Sequence, residues 1–257
     1  MPETNEVEVQ HEGPITIITI NHPQVRNAVN KSTATALRKA WMDFEMDENA
    51  LVGILTGGDE VFCAGADLHD INQFNADIQG PSGPLGFTRL SVSKPTIAAI
   101  AGYCVAGGLE LACWCDLRIA DESAIFGCFE RRFGVPLIDG GTQRLPRIIG
   151  LGRALEMILT GRPVAASEAL AFGLANEVVP RGQSLMRAVA LGHMLAKFPQ
   201  TCLRNDRQAT YLGLSKDLAE GLRLEAALGA ETLKSGEAAA GSMRFQQGQG
   251  RKGDFNV

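Results

Sequence analysis

No apolar run in this chain of 257 residues approaches the roughly 20 residues that a membrane-spanning helix needs. The start, Met1 to Gln10, is acidic and polar. It has neither the basic n-region of a secretory signal nor the arginine-rich, acid-poor character of a transit peptide. Positive charge is not in excess: 24 lysines and arginines face 29 acidic residues, for a net charge of −5. That balance gives no electrostatic reason to expect nucleic acid or an anionic membrane as a partner. A soluble, cytoplasmic protein is the expectation. No phosphate-loop pattern ending in Gly-Lys-Ser/Thr occurs, nor Gly-x-Gly-x-x-Gly after a strand, so nucleotide hydrolysis and nicotinamide binding lack support. His11, His22, His69 and His193 are scattered, with no serine or cysteine motif to complete a nucleophilic triad. Cys113-Trp-Cys115 has no second ligand pair nearby, so no metal site is expected. The six cysteines lie mostly in apolar runs and read as reduced, buried thiols.

What is present is ample core material, 45% hydrophobic residues, enough for one large α/β domain with a smaller appended region. Val7–Gln10 and Ile15–Ile20 flank Glu12-Gly13-Pro14 and read as a hairpin. Leu37, Ala40, Trp41 and Phe44 recur at helical spacing, with Asn30 or Ser32 as the cap. Leu51–Thr56 reads as a buried strand, and a helix is expected to begin at Gly65-Ala66-Asp67. Asn72 to Gly86 is polar, with Gly80-Pro81 and Gly83-Pro84 as breakers, and reads as a surface loop or a segment covering a substrate. Strands are expected at Thr96–Ala101, Asp116–Ala120 and Ala124–Phe126. Helices follow at Leu151–Leu159, Ala166–Phe172, Leu185–Lys197 and Lys216–Leu233. Strands crowd the first half and helices the second, which gives an α/β core followed by helices.

Two acids stand out. Glu110 follows an apolar run and a turn holding Gly107 and Gly108. Glu130 ends a second apolar run, Ala124-Ile-Phe-Gly-Cys-Phe-Glu130. A strand, a glycine turn and a helix start can aim backbone N–H groups at a developing negative charge. Two carboxylates delivered to one place can hold a water and move a proton. Each residue has an ordinary alternative. Glu110 could be a first-turn glutamate favoured by the helix dipole, and Glu130 a surface acid paired with Arg131 or Arg132.

The order of motifs resembles the crotonase family, the enoyl-CoA hydratase/isomerase superfamily. The resemblance runs from Asn21-His-Pro and Arg26-Asn-Ala28 through Gly141-Thr-Gln-Arg-Leu145 to Ala169-Leu-Ala-Phe-Gly-Leu174. It is strongest at Phe62-Cys-Ala-Gly-Ala-Asp-Leu68 and Ile100-Ala-Gly-Tyr-Cys-Val-Ala-Gly-Gly-Leu-Glu-Leu-Ala112. It implies an α/β, crotonase-type spiral of ββα turns over residues 1–198 and a helical C-terminal oligomerisation region over 199–257. It also implies a homotrimer or a dimer of trimers. The implied substrate is an acyl-CoA thioester, with coenzyme A as part of the substrate and no separate cofactor. The amides of Ala66 and Gly107 would hold the thioester oxygen, Glu130 would exchange the α-carbon proton, and Glu110 would orient the water. Coenzyme A contacts would come from Arg26, Ala28, Ala64, Ala66, Asp67, Leu68 and Gly107, with Phe245 matching a residue the family presents to the coenzyme A of a neighbouring subunit. The family's C-terminal lysine is matched poorly, by Arg251-Lys252. The implied activity is hydration of a trans-2-enoyl-CoA.

Asp139 is the departure, because hydratases of the family usually carry a small uncharged residue there. It would serve a double-bond isomerase together with Glu130, hold a polar substrate group, or cap the helix starting near Gly140-Gly141-Thr142. A non-catalytic acyl-CoA-binding or RNA-binding relative is the remaining alternative.

Overall fold

The computed structural model describes residues 6–70 and 78–250. Two compact units divide the chain. One takes in the chain up to Val92 together with Thr96–His193; the other takes in Ser93–Pro95 and the chain from Met194 onward.

Among the described residues, all strands lie in the first unit. Strands β1 (Val7–Glu12) and β2 (Ile15–Ile20) form the expected antiparallel hairpin, closed at Glu12↔Ile15 around Gly13-Pro14. Strand β2 reads Ile-Thr-Ile-Ile-Thr-Ile and is almost wholly buried, as a strand covered on both faces should be. Helix α1 (Lys31–Met46) follows. Asn30 rather than Ser32 caps it, accepting from the Thr33 amide. Its inward stripe is Ala34, Leu37, Ala40, Trp41 and Phe44, the 3.6-residue periodicity seen in the sequence.

The chain then alternates between two sheets. Strands β3 (Val52–Thr56), β5 (Thr96–Ile100), β7 (Leu117–Asp121) and β10 (Glu177–Val179) extend the hairpin into a six-stranded sheet of order β1-β2-β3-β5-β7-β10, parallel from β2 onward. Strands β4 (Val61–Cys63), β6 (Tyr103–Val105), β8 (Ile125–Gly127) and β9 (Val164–Ala165) form the second sheet in that order. Each pass through β5–β6 or β7–β8 lays one strand in each sheet before a helix, which is the expected ββα spiral. Glycine makes one of these crossings. Gly102 sits at φ +57°, and a Cβ there would lie 1.9 Å from the Glu60 carbonyl oxygen.

Helix α2 (Gly107–Trp114) follows β6, and helices α3 (Gly141–Ile149), α4 (Leu151–Thr160), α5 (Ala166–Phe172) and α6 (Ser184–Ala196) complete the run up to the second unit. A buried aromatic cluster joins Trp41 to Phe44, Phe87 and Trp114, with ring centroids 4.8–5.6 Å apart.

Three expectations need revision. Asp67–Asp70 is a turn, closed by Asp70 N–H to Asp67 C=O, and whatever follows it lies outside the described residues. The segment 72–86 is not a plain surface loop where it is described: Ser82 through Thr88 is buried, and Leu85 and Phe87 are wholly so. In the second unit, helix α8 (Leu218–Lys234), with Asp217 as its cap, was legible in the sequence. Helices α7 (Gln200–Gly213) and α9 (Glu237–Gln246) were not. Neither buries a residue in the described chain, so no strong apolar period marks them.

Candidate active site

Parallel pairing within the smaller sheet builds the site. Cys63 lies beside Cys104, and Val105 beside Gly127. Strands β4, β6 and β8 therefore end side by side, and the chain leaving each carries a candidate group: Ala66 after β4, Gly107 and Glu110 after β6, Glu130 after β8. Sites in parallel α/β structures form at these carboxyl ends of strands. All five candidate catalytic residues, Ala66, Gly107, Glu110, Glu130 and Asp139, line one cavity of about 100 Å³, and Leu85, Phe129 and Ile138 supply much of its apolar wall.

Asn27 places Ala66. Its side-chain amide donates to the carbonyls of Gly57 (2.9 Å) and Val61 (2.8 Å), and its Oδ1 accepts from His22 N–H (2.8 Å). This pins residues 26–29, at the cost of positive φ at Arg26 and Asn27. Val29 then pairs with the next turn. Its N–H donates to Gly65 C=O (2.8 Å), and its C=O accepts from Asp67 N–H (2.8 Å), which brackets Ala66.

Gly107 is the first residue of α2, so its N–H has no acceptor within the helix. The two turns touch. A Cβ on Gly65 would sit 2.7 Å from Gly107 N, and one on Gly107 would sit 3.4 Å from Ala66 N. Only glycine allows this approach. Ala106, which caps α2, holds φ 53° and ψ −128°, a strained conformation for a residue with a side chain and one of the kind that clusters at functional sites.

The acids are buried. Oε1 of Glu110 accepts from the amides of Gly141 (2.7 Å) and Asp139 (2.9 Å), so this first-turn glutamate of α2 also sits at the start of α3. Burial, and then the neighbouring Asp139 charge, push its carboxyl up to about 8, with Glu130 adding to the rise. Glu130 is no surface ion pair. It is buried, and neither carboxylate oxygen has a well-aligned hydrogen-bond partner among the described residues. Arg131 and Arg132 instead donate to the carbonyls of Ile158 and Gly161. Burial raises Glu130's carboxyl, opposed by its own main-chain N–H and by Arg131.

Asp139 does not cap α3. Gly140 stands at that cap with no side-chain bond. The Asp139 carboxylate turns to the covering segment, where Oδ1 accepts from Leu85 N–H (3.1 Å) and Thr88 Oγ1 (2.5 Å). Burial raises its carboxyl, and the Thr88 hydroxyl is the largest opposing influence. Thr88 and Leu85 are the site residues that sequence reasoning missed, since no local pattern marks them.

Of the remaining candidates, Ala64 and Leu68 line the cavity, whereas Arg26, Ala28 and Asp67 do not. Arg26 is exposed, with its guanidinium 5.9 Å from the centre of the Tyr103 ring. Phe245 belongs to the second unit and lines a hollow there with Lys197, Phe198 and Arg244. The lysine expected at Arg251-Lys252 lies outside the described residues. Among the described residues no group of three or more histidine, cysteine or acidic side chains is placed to hold a metal ion, and no helix is long and apolar enough to cross a membrane.

The enoyl-CoA hydratase/isomerase family model matches residues 10–255. The chain belongs to the enoyl-CoA hydratase/isomerase family. Among its relatives, the short-chain-enoyl-CoA hydratase of Clostridium acetobutylicum is 36% identical over 228 residues, 87% of each chain. The mevalonyl-coenzyme A hydratase sidH of Aspergillus fumigatus is 35% identical over 204 residues, 77% of this chain and 75% of that one. The crystal structure of enoyl-CoA hydratase EchA1 from Mycobacterium marinum superposes with a TM-score of 0.90 at 33% identity, covering 95% of this chain and 96% of the other. Membership in this family accounts for the spiral of two sheets.

Proposed function

We propose that the chain is an enzyme, a hydro-lyase that reversibly adds water to a trans-2-enoyl-CoA to give a 3-hydroxyacyl-CoA. One observation carries this reading: two buried glutamates share a small cavity with two adjoining main-chain amides. The amides of Ala66 and Gly107 receive the thioester oxygen. Glu110 orients the water and takes one of its protons as the water oxygen bonds to the β carbon and the double-bond electrons move toward the thioester. The resulting enolate-like charge gathers on the oxygen held by the amides, and Glu130 delivers a proton to the α carbon. Fixed donors in a dry cavity stabilise that charge, and loss of one typically costs roughly 3–4 kcal/mol.

The same reading assigns coenzyme A contacts to Arg26, Ala28, Ala64, Ala66, Asp67, Leu68 and Gly107, and has Phe245 presented to the coenzyme A of a neighbouring subunit. It takes the protein as cytoplasmic, with all six thiols free and five of them buried. It also takes the assembly as a homotrimer or a dimer of trimers, supported by the exposed leucines Leu218, Leu222 and Leu233 on α8.

A double-bond isomerase using Glu130 and Asp139 is the competing reading, favoured by the presence of Asp139 in the same cavity wall. Purified protein should be given 2-enoyl-CoA, 3-enoyl-CoA and dienoyl-CoA esters, with mass spectrometry for a gain of one water. Hydration of the 2-enoyl ester is the expected result. Isomerisation without added water defeats the reading.

A further inference from the structure

Asp139 makes two kinds of contact in opposite directions. Its main-chain N–H donates to Glu110 Oε1, while its carboxylate accepts from Leu85 N–H and Thr88 Oγ1. Arg144 braces the same junction, with Nη1 on the Asp139 carbonyl (2.9 Å) and Nη2 on the Thr88 carbonyl (2.5 Å). Leu85 is not a remote anchor. It lines the cavity, and its Cδ1 lies 2.6 Å from where a Gly107 Cβ would be. One residue therefore ties down both the acid on α2 and the apolar side chain packed over the first turn of that helix.

We propose that Thr88 and Asp139 are positioning residues: through one carboxylate and one main-chain amide they hold Leu85 over Gly107 and hold Glu110 in place for the water it orients. The inference rests on the hydratase reading for the meaning of Glu110, but not for the geometry. Asp139 neither receives nor gives the substrate's proton in this scheme. Leu85 N–H and Thr88 Oγ1 both bond to Oδ1, which turns that oxygen toward the covering segment.

The arrangement also sets how readily Glu110 ionises. The titratable groups that face Glu110 are Asp139 from the chain before α3, Glu130 after β8, Cys128 at the end of β8, and Cys113 on α2 itself. Facing Asp139 are Arg89 and Arg144. Asp139→Asn removes a like charge beside Glu110, favours ionised Glu110 and lowers its proton affinity. Thr88→Val removes the bond that favours ionised Asp139, so more Asp139 is neutral and Glu110 shifts the same way by less. A structural role for Thr88 that did not run through Asp139 would not move this titration.

The test measures the infrared band of protonated Glu110, assigned by its loss in Glu110→Gln, across pH 5–10. In parallel, kcat/KM for crotonyl-CoA hydration is followed over the same range. In the native chain the band should titrate near 8. In Asp139→Asn it should titrate roughly one pH unit or more lower, with the rising limb of kcat/KM moving alongside. Thr88→Val should lower kcat with little change in KM and shift the limb partway, and Thr88→Ser should restore both. An unmoved band in a folded Asp139→Asn protein, or failure of Thr88→Ser to rescue, overturns the inference. If no hydration occurs but the band shifts in Asp139→Asn and in Thr88→Val and returns in Thr88→Ser, the positioning inference stands and the hydratase reading falls.

Discussion

Asp139 raises the proton affinity of Glu110 by its charge while donating its main-chain N–H to the same carboxylate at 2.9 Å. Repulsion and a hydrogen bond thus act together between two residues 29 positions apart. The carboxylate is located firmly yet kept from ionising easily, which suits a group that must hold a water and share its proton.

Replacing either glutamate separates chemistry from binding. Glu110→Gln and Glu130→Gln should each lower kcat by about 10²–10⁴-fold, while the affinity for a saturated acyl-CoA, measured by calorimetry, stays within a few-fold of native. Undiminished turnover in either variant refutes the role given to that acid.

Stability should depend on pH through the same carboxyl. Glu110 is raised from an ordinary 4.5 to about 8, so the folded state binds more protons than the unfolded state across that interval. Its contribution is fully present below 4.5 and is lost as pH rises through 8. Glu130 and Asp139 are raised as well and act in the same sense. Urea unfolding at pH 5.5 and 8.5 should show the native chain less stable at the higher pH, and Glu110→Gln should reduce the difference. A difference unchanged by that substitution counts against the burial-driven shift.

Gly107→Ala places a Cβ 2.6 Å from Leu85 Cδ1 and 3.2 Å from Gly65 Cα. The leucine or the amide must move. If the Gly107 amide serves the thioester oxygen, kcat should fall by roughly 10²–10³-fold, the effect of losing one such donor, in a variant that circular dichroism shows to be folded. A variant of native activity would show that the amide is not used.

Asn27→Ala leaves the carbonyls of Gly57 and Val61 and the His22 N–H without their side-chain partner, and puts alanine at φ 54°. Unsatisfied buried groups cost about 1–3 kcal/mol each, so chemical denaturation should show a loss of at least ~2 kcal/mol. Turnover should also fall, because residues 26–29 bracket Ala66. Unchanged stability would mean that water replaces the asparagine fully.

Much of this molecule was legible in its residues. The Ile-Thr-Ile-Ile-Thr-Ile strand, the Asn30-capped helix and the glycine turns at Gly65 and at Gly107-Gly108 each follow from local preference and periodicity, which neighbouring residues set. The short strands β4, β6, β9 and β10 were not read as such. Three or two residues carry no period, and their identity comes from the strand beside them. The same limit hid Thr88 and Leu85 and made Asp139 look like a helix cap.

The sequence by itself determined which groups are available: two acids after apolar runs, and two turns where only glycine permits close backbone approach. Only the tertiary structure decided that these groups meet. The parallel register of β4, β6 and β8 aligns their ends, and residues 29, 51 and 54 positions apart then come within hydrogen-bonding distance around Asp139. Hydrogen bonds across such separations depend on how strands pair and layers pack, and no local propensity encodes that.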